Sequence, residues 1–388
     1  MKPLRIHWRL LQGGEQATAT RARSESLAQT GLPDPGPQIE FCRQAEAAGI
    51  DGLLTDFGAA KPDPIVLATA LGVATDRVEF IVAYRSGASC PTTFTQQINT
   101  LSALVNGRVS LNIVAGHSPH EHGYYGDFLP HDERYARTEE FLAICHALWR
   151  GEAPVNYVGR YYRVENAVLN TPFVSPFRRY PEIFIAGGSD VARDLAIRQG
   201  TCWMRLGDTP ERVAESIEPV LAADKEAGLR MSVVCRATRA QAVDAAHALV
   251  EGETPSQGER KAEQKFVRAS DSVSMAATYA LAEEEWLTPW LWTGAIRSHG
   301  APGLAVVGSP EDVVEALLEY KHIGVSQFIL SGWPKQEEMD RFGRDVMPRL
   351  RERERSSGGI GFAPGRARLH SPASGSSSIS RGGGGSRC

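Results

Sequence analysis

The stretch from Leu111 to Asp127, "LNIVAGHSPHEHGYYGD", holds three histidines, His117, His120 and His122, and two acids, Glu121 and Asp127, behind a short apolar run. Histidine ligates metals and moves protons near neutral pH, so two chemistries are open here. A zinc site wants ligands on one helix face or on rigid strand ends. These histidines are spaced by three and then two, inside a loop, and no H-E-x-x-H run is present. A metal-dependent barrel hydrolase is therefore a minor alternative. A solvated polar loop is a second reading, and a strand-end wall of an active site is a third. The third gains support upstream. Asn112 offers both a donor and an acceptor to a flat heteroaromatic edge, and Gly116, after Ala115, lets a planar ligand approach the backbone. Downstream, in "HDERY", His131 and Tyr135 stand four apart and face one ligand if the segment is helical.

The elements that position these residues alternate along the chain. Residues 4–8, 51–55, 78–84, 108–116, 182–187, 201–206, 230–238 and 326–332 have strand character. Amphipathic helical segments separate them, such as 37–50, with Ile39, Cys42, Ala45 and Ile50 at helical spacing and Gly49 closing the helix. Eight strands each tied to a helix predict a (β/α)8 TIM barrel, with a doubly wound open sheet as the runner-up. A barrel puts its chemistry at the C-terminal strand ends. Residues 117–132, 151–181 and 252–306 break the alternation at those ends, and 252–306 is expected to be a lid or interface element. The catalytic domain is expected to span 1–355. The Ser/Gly/Arg-rich tail, 356–388, lacks the apolar content to fold and is expected to be disordered.

The chain has 388 residues and a formal net charge of −4, which gives no footprint for nucleic acid or an anionic membrane. The N-terminus shows no apolar secretory run, and the longest apolar stretch is too short to span a bilayer. Six scattered cysteines without C-x-x-C spacing suit reduced thiols and a cytoplasmic enzyme.

Together, "VNGRVSLNIVAG", "HDERY", "IFIAGGSDVA", "LWTGAIRSHGAPGLAVVGSP" and "SQFILSGWPKQEE" resemble the bacterial luciferase-like flavin monooxygenases, and within them the alkanesulfonate monooxygenase branch. The likeness runs from about residue 4 to about residue 352. It implies a two-component enzyme. A separate NAD(P)H:FMN reductase supplies reduced FMN, which reacts with O2 to a C4a-(hydro)peroxyflavin, and one oxygen passes to a small polar or anionic organic substrate. It also implies a homodimer or homotetramer. An F420-dependent oxidoreductase of the same superfamily is the alternative.

The resemblance implies a cofactor wall of Arg85, Asn112, Ala115, Gly116, His131 and Tyr135. It implies a phosphate loop at Gly187, Gly188 and Ser189, where free N–H groups and a helix dipole attract an anion. The family's Gly-Gly-Ser-Ser is Ala186-Gly187-Gly188-Ser189 here. On the substrate side Arg230 and Arg297 are kept to hold an anion. Ala60 replaces a cysteine, Ser232 a histidine and Trp333 a tyrosine. Loss of that imidazole makes His117 the expected group for proton management, with His120 and His122 expected in the loop beyond the pocket. The tryptophans of "EEWLTPWLWTG" are expected to pack the insertion.

Overall fold

In a computed structural model, residues 2–12, 33–59, 61–116, 118–152, 154–251 and 270–358 are described. Ala60, His117, residues 252–269 of the insertion and residues 359–388 of the tail lie outside them.

Eight parallel strands close into a barrel: β1 Arg5–Arg9, β2 Gly52–Thr55, β3 Glu79–Tyr84, β4 Val109–Val114, β5 Glu182–Ala186, β6 Cys202–Leu206, β7 Glu226–Cys235 and β8 Val325–Ser331. Neighbours follow chain order from β1 to β7. β8 then pairs with both β7 and β1, and the ring has no open edge. The crossover helices include α1 Pro35–Ala47, α2 Pro64–Gly72, α3 Pro91–Leu104, α4 His131–Arg150, α5 Asp190–Gln199, α6 Pro210–Ala222, α7 Arg239–Val250 and α8 Pro310–His322. Proline opens α1, α2, α3, α6 and α8, where its missing N–H has no partner to lose and its φ is already helical. Gly151, in the left-handed conformation, ends α4.

The barrel expectation holds. β7 starts four residues before the expected Arg230, because Asp224, at φ +55°, turns the chain out of α6 and the Glu226 N–H then bonds to the Thr201 carbonyl. Within 151–181, Val155–Val158 and Arg163–Ala167 form an antiparallel hairpin. In the insertion, Val273–Leu281 is helical, and Ala305–Gly308 extends the sheet by pairing with the far half of β7. Trp292 is fully buried and Trp286 packs against its cluster, so the tryptophans fill the base of the insertion.

Period-two alternation sorts the lumen into layers. Leu54, Ile81, Phe184, Cys202, Met204 and Ile329 pack into an apolar plug. Below it, the strand beginnings carry a polar floor. Arg5 bonds to Glu182 and, at 2.7 Å, to Glu79. Arg178 reaches Glu79 at 2.8 Å, and Gln327 donates to Glu182 at 2.8 Å. His7 sits between floor and plug, 2.9 Å from Gln327, and burial pushes its imidazole down to about 4, so it is neutral at pH 7. Four described cysteines, Cys42, Cys145, Cys202 and Cys235, are buried free thiols, and Cys90 is exposed. No helix among the described residues is long and apolar enough to cross a membrane.

The floor gives a stability prediction. Arg5→Met takes from the buried Glu79 and Glu182 one of the two arginines described beside them, leaving Arg178, and urea unfolding at pH 7 should show a loss of about 2 kcal/mol. Burial alone would raise the Glu182 pKa, but Arg5 and its other partners lower it. The lowered pKa means this stabilisation is present above the unfolded carboxylate value and fades as pH falls through the folded one. The gap between wild type and variant should therefore narrow below about pH 4.

Candidate active site

Above the plug, the C-terminal strand ends enclose a cavity of about 530 Å³. Its wall between β4 and β5 is made of Asn112, Val114, Ala115, Gly116, Ala186 and Gly187. Asn112 is 7% exposed, and its Oδ1 is buried with no hydrogen-bond partner among the described residues. A carbonyl oxygen left this way favours any ligand that donates to it.

Two glycines keep the wall thin. Gly116 has φ +80°, and a Cβ there would lie 2.5 Å from Cε1 and Nε2 of His122. Gly187 has φ +142°, and its Cβ would lie 2.5 Å from the Tyr135 hydroxyl. Behind this wall, α4 contributes two residues. The Tyr135 hydroxyl donates to the Ala186 carbonyl at 3.3 Å, and burial pushes the phenol up to about 12. Arg134, 2% exposed, donates to the carbonyls of Ala115 at 3.0 Å and Leu129 at 2.8 Å, and to Asp271 of the insertion at 2.6 Å. The cavity wall and the insertion thus share one guanidinium.

At the β2 and β3 ends, Arg85 lies over the rings of Phe57 and Tyr125, 5.0 and 5.8 Å from their centroids, and pairs with Glu121. Asp56 takes the Arg9 Nε–H at 2.7 Å. Burial alone would raise the Asp56 pKa. Arg9, Arg230 and Lys61 more than offset it, and the carboxyl is held well below its usual range. Arg230 and Lys61 both line the cavity, and Ser272, Ser274, Met275, Tyr279 and Pro302 of the insertion cover it.

The expected site residues divide. Arg85, Asn112, Ala115, Gly116, Tyr135, Gly187 and Arg230 come together on the cavity wall. Gly188 backs the roof, since a Cβ there would meet the Ser274 hydroxyl at 2.6 Å. Ser189 caps α5, accepting from Ala192 N at 3.3 Å. His131 stands at the edge, its ring 5.0 Å from Tyr135 and its Nδ1 2.7 Å from Asp132. Arg297 does not line the cavity: it donates to Glu283 at 2.7 Å. Trp333 is buried with its ring 4.5 Å from His299, one layer behind the roof.

His120 is exposed beside Tyr124, as expected for the outer loop. His122 differs. It is 2% exposed, against Gly116, with its Nδ1 3.5 Å from Asp127, which Arg137 holds at 3.0 and 2.6 Å. Burial, then Arg134 and Arg85, lower its pKa. The short helix Pro119–Tyr124 folds the loop back onto the barrel, which loop spacing does not reveal. Among the described residues no three His, Cys, Asp or Glu side chains are grouped to hold a metal ion. The sequence reading missed Asp56, Lys61, Glu121 and the insertion serines. Asp56 and Lys61 follow a strand end in "TDFGAAKPD", the available signal.

A family model described as luciferase-like monooxygenase matches residues 15–327. Among solved structures, the EDTA monooxygenase from Chelativorans sp. BNC1 superposes with a TM-score of 0.70 at 22% identity, covering 91% of this chain and 94% of that one. The oxygenating constituent of 3,6-diketocamphane monooxygenase from Pseudomonas putida, in complex with FMN, gives 0.63 at 17%, covering 89% and 98%. An F420-dependent secondary alcohol dehydrogenase gives 0.61 at 17%, covering 90% and 99%. At these identities the likeness is one of fold.

Gly116 tests the wall. Gly116→Ala should cost about 1–2 kcal/mol for its backbone conformation alone, and more for the collision with His122. Adding His122→Ala should remove the collision but not the backbone cost, so chemical denaturation should rank the double variant's Gly116→Ala step as the milder one.

Proposed function

Since this chain belongs to the luciferase-like monooxygenases, we propose that it is a two-component FMNH2-dependent monooxygenase acting on a small anionic organic substrate. A separate NAD(P)H:FMN reductase delivers the reduced cofactor, and the working form is a homodimer or homotetramer. The observation that carries the cofactor reading is the thin wall between β4 and β5. It joins a buried, unpartnered Asn112 Oδ1 to two positive-φ glycines whose side chains would fill the slot. A flat heteroaromatic ring with an N–H edge fits this donor set.

When bound, reduced FMN would supply the two electrons that activate O2, and O2 the oxygen atom that is transferred. The chain does the rest. Asn112 accepts from the ring edge and fixes its orientation. Ala115 and Gly116 allow close contact with the ring face. Gly187 and Gly188 lead into the N-terminus of α5, capped by Ser189, where a phosphate finds free N–H groups and the positive end of the helix dipole. Tyr135 braces that turn through the Ala186 carbonyl. The roof from the insertion keeps water from the reacting atoms, and Arg134 ties it to the wall.

Arg230 and Lys61 make the opposite wall cationic, which favours an anionic substrate such as an organosulfur acid or a biosynthetic acid. Arg297, paired with Glu283, and the buried Trp333 leave that wall without two groups the alkanesulfonate branch would use. This supports a substrate other than a simple alkanesulfonate.

The test is an anaerobic titration with reduced FMN and, separately, reduced F420. Reduced FMN should bind the tighter, and Asn112→Leu should weaken it roughly tenfold, the cost of an unmet hydrogen bond in a buried site. Tighter binding of F420, with no effect of the Asn112 variant on FMN, would replace the monooxygenase with an F420-dependent oxidoreductase.

A further inference from the structure

We infer that Arg85 is the docking point for a substrate carboxylate, and that the side chain of Glu121 holds this place until the substrate displaces it. The inference rests on the oxygenase reading for the reaction, but the anion site stands on its own geometry.

Arg85 lines the cavity and is 6% exposed. A buried structural arginine ordinarily has its N–H groups satisfied. Here Nη2 bonds to Glu121 Oε2, while Nε and Nη1 are buried without a hydrogen-bond partner among the described residues. The guanidinium carbon of Arg85 lies over the rings of Phe57 and Tyr125, whose centroids are 5.3 Å apart, so the aromatic pair backs the guanidinium from one side. A guanidinium presents a planar fork through Nε and Nη2, which matches a carboxylate bidentately. Glu121 takes one tine of that fork.

Glu121 acts as an internal copy of the ligand. Its second oxygen accepts the Ala59 N–H at 2.9 Å, so the place already offers a carboxylate one guanidinium and one backbone donor. The residue belongs to the short helix Pro119–Tyr124 outside the barrel, and its side chain is 21% exposed, against 7% for Arg85. The donor is fixed on a barrel strand end and the acceptor sits on a peripheral segment, so the acceptor is the one that yields. Among the described residues, Asp56 is the other carboxylate on the cavity wall. Arg9, Arg230 and Lys61 hold it, and it does not compete for Arg85. Withdrawal of Glu121 leaves Arg85, Lys61, Arg205 and Arg230 facing the cavity, a net positive wall with the fork of Arg85 open. The place-holder is a carboxylate, and carboxylate is accordingly the chemistry proposed for the ligand.

Calorimetric titration of the full-length protein with butyrate, and with neutral butyramide as its isosteric control, tests this. It is run alone and with reduced FMN present anaerobically. Butyrate should bind and butyramide should not. Glu121→Gln should tighten butyrate roughly tenfold, because a built-in competitor is removed. Arg85→Gln should abolish binding. Arg85→Lys, which keeps the charge but loses the fork, should fall between. Glu121→Asp, too short to bridge Ala59 and Arg85, should tighten butyrate in the same sense and serves if the glutamine variant fails to fold by circular dichroism. Unchanged or weaker butyrate binding in the Glu121 variants overturns the proposal. So does an absence of butyrate binding in all of the proteins, or an Arg85→Gln protein that loses reduced FMN but keeps butyrate. Failure of wild type to bind reduced FMN, with butyrate behaving as expected, would instead overturn the oxygenase reading and leave the anion site standing.

Discussion

The closed ring of parallel strands dictates where everything else goes. A parallel barrel has no edge to absorb polar groups, and each strand alternates between its lumen and its helix layer. The lumen must therefore be filled from within. Leu54, Ile81, Phe184, Met204 and Ile329 do so at mid-height. Two residues along from this level, polar side chains share the face: Arg5 and Arg9 around His7 on β1, Glu79 before Ile81 on β3, and Asn112 after Ser110 on β4. One alternating pattern thus builds a saturated ion network at the bottom and a chemically open cavity at the top. The apolar plug separates the two, so the mouth of the barrel is free to carry donors and acceptors unmet among the described residues while the floor bears ion pairs.

The mouth in turn depends on backbone that only glycine tolerates. Gly116 and Gly187 end neighbouring strands with positive φ, and each faces a side chain from outside the barrel, His122 and Tyr135. Any Cβ at either place would push that side chain away and close the slot from behind. The slot is thin because helix α4 and residues 118–128 press on it. The same packing makes Arg134 a joint between the Ala115 carbonyl and Asp271 of the insertion. A ligand seated on the wall would be felt at the insertion through one side chain, without a hinge in the barrel itself.

The barrel was legible because strand and helix periods alternate cleanly, and because strand ends are where such folds put chemistry. Asn112, Gly116, Tyr135 and Gly187 could be placed from those two facts and a resemblance in short motifs. What sequence does not encode locally is where long side chains reach. Arg297 sits in a matching motif, yet a nearby carboxylate, Glu283, takes its guanidinium on the outer side of the insertion. His122 looked like part of a solvated loop, but six residues of helix bury it against the wall. Glu121 had no sequence signal for its role: Ala59 lies 62 positions away and Arg85 lies 36. These are contacts between loops of different strands, set by barrel curvature rather than by spacing.

The charge pattern at the mouth follows from the same geometry. A cationic wall built only from arginines on strand ends would repel itself in a space of low dielectric, and each guanidinium would tend to fold outward. Asp56 and Glu121 counter this in different ways. Asp56 is surrounded by Arg9, Arg230 and Lys61 and stays ionised, so it fixes cations in place without neutralising the wall as a whole. Glu121 bonds to Arg85 and to the Ala59 N–H of a loop. The first arrangement is an over-satisfied acid whose removal would scatter its partners. The second is an acid on a peripheral segment, bonded to the recognising arginine, that can be exchanged for another of the same chemistry. A pocket that binds anions needs both: a permanent counter-charge to keep the cations together when no ligand is present, and a removable one that keeps the recognising cation from being left bare.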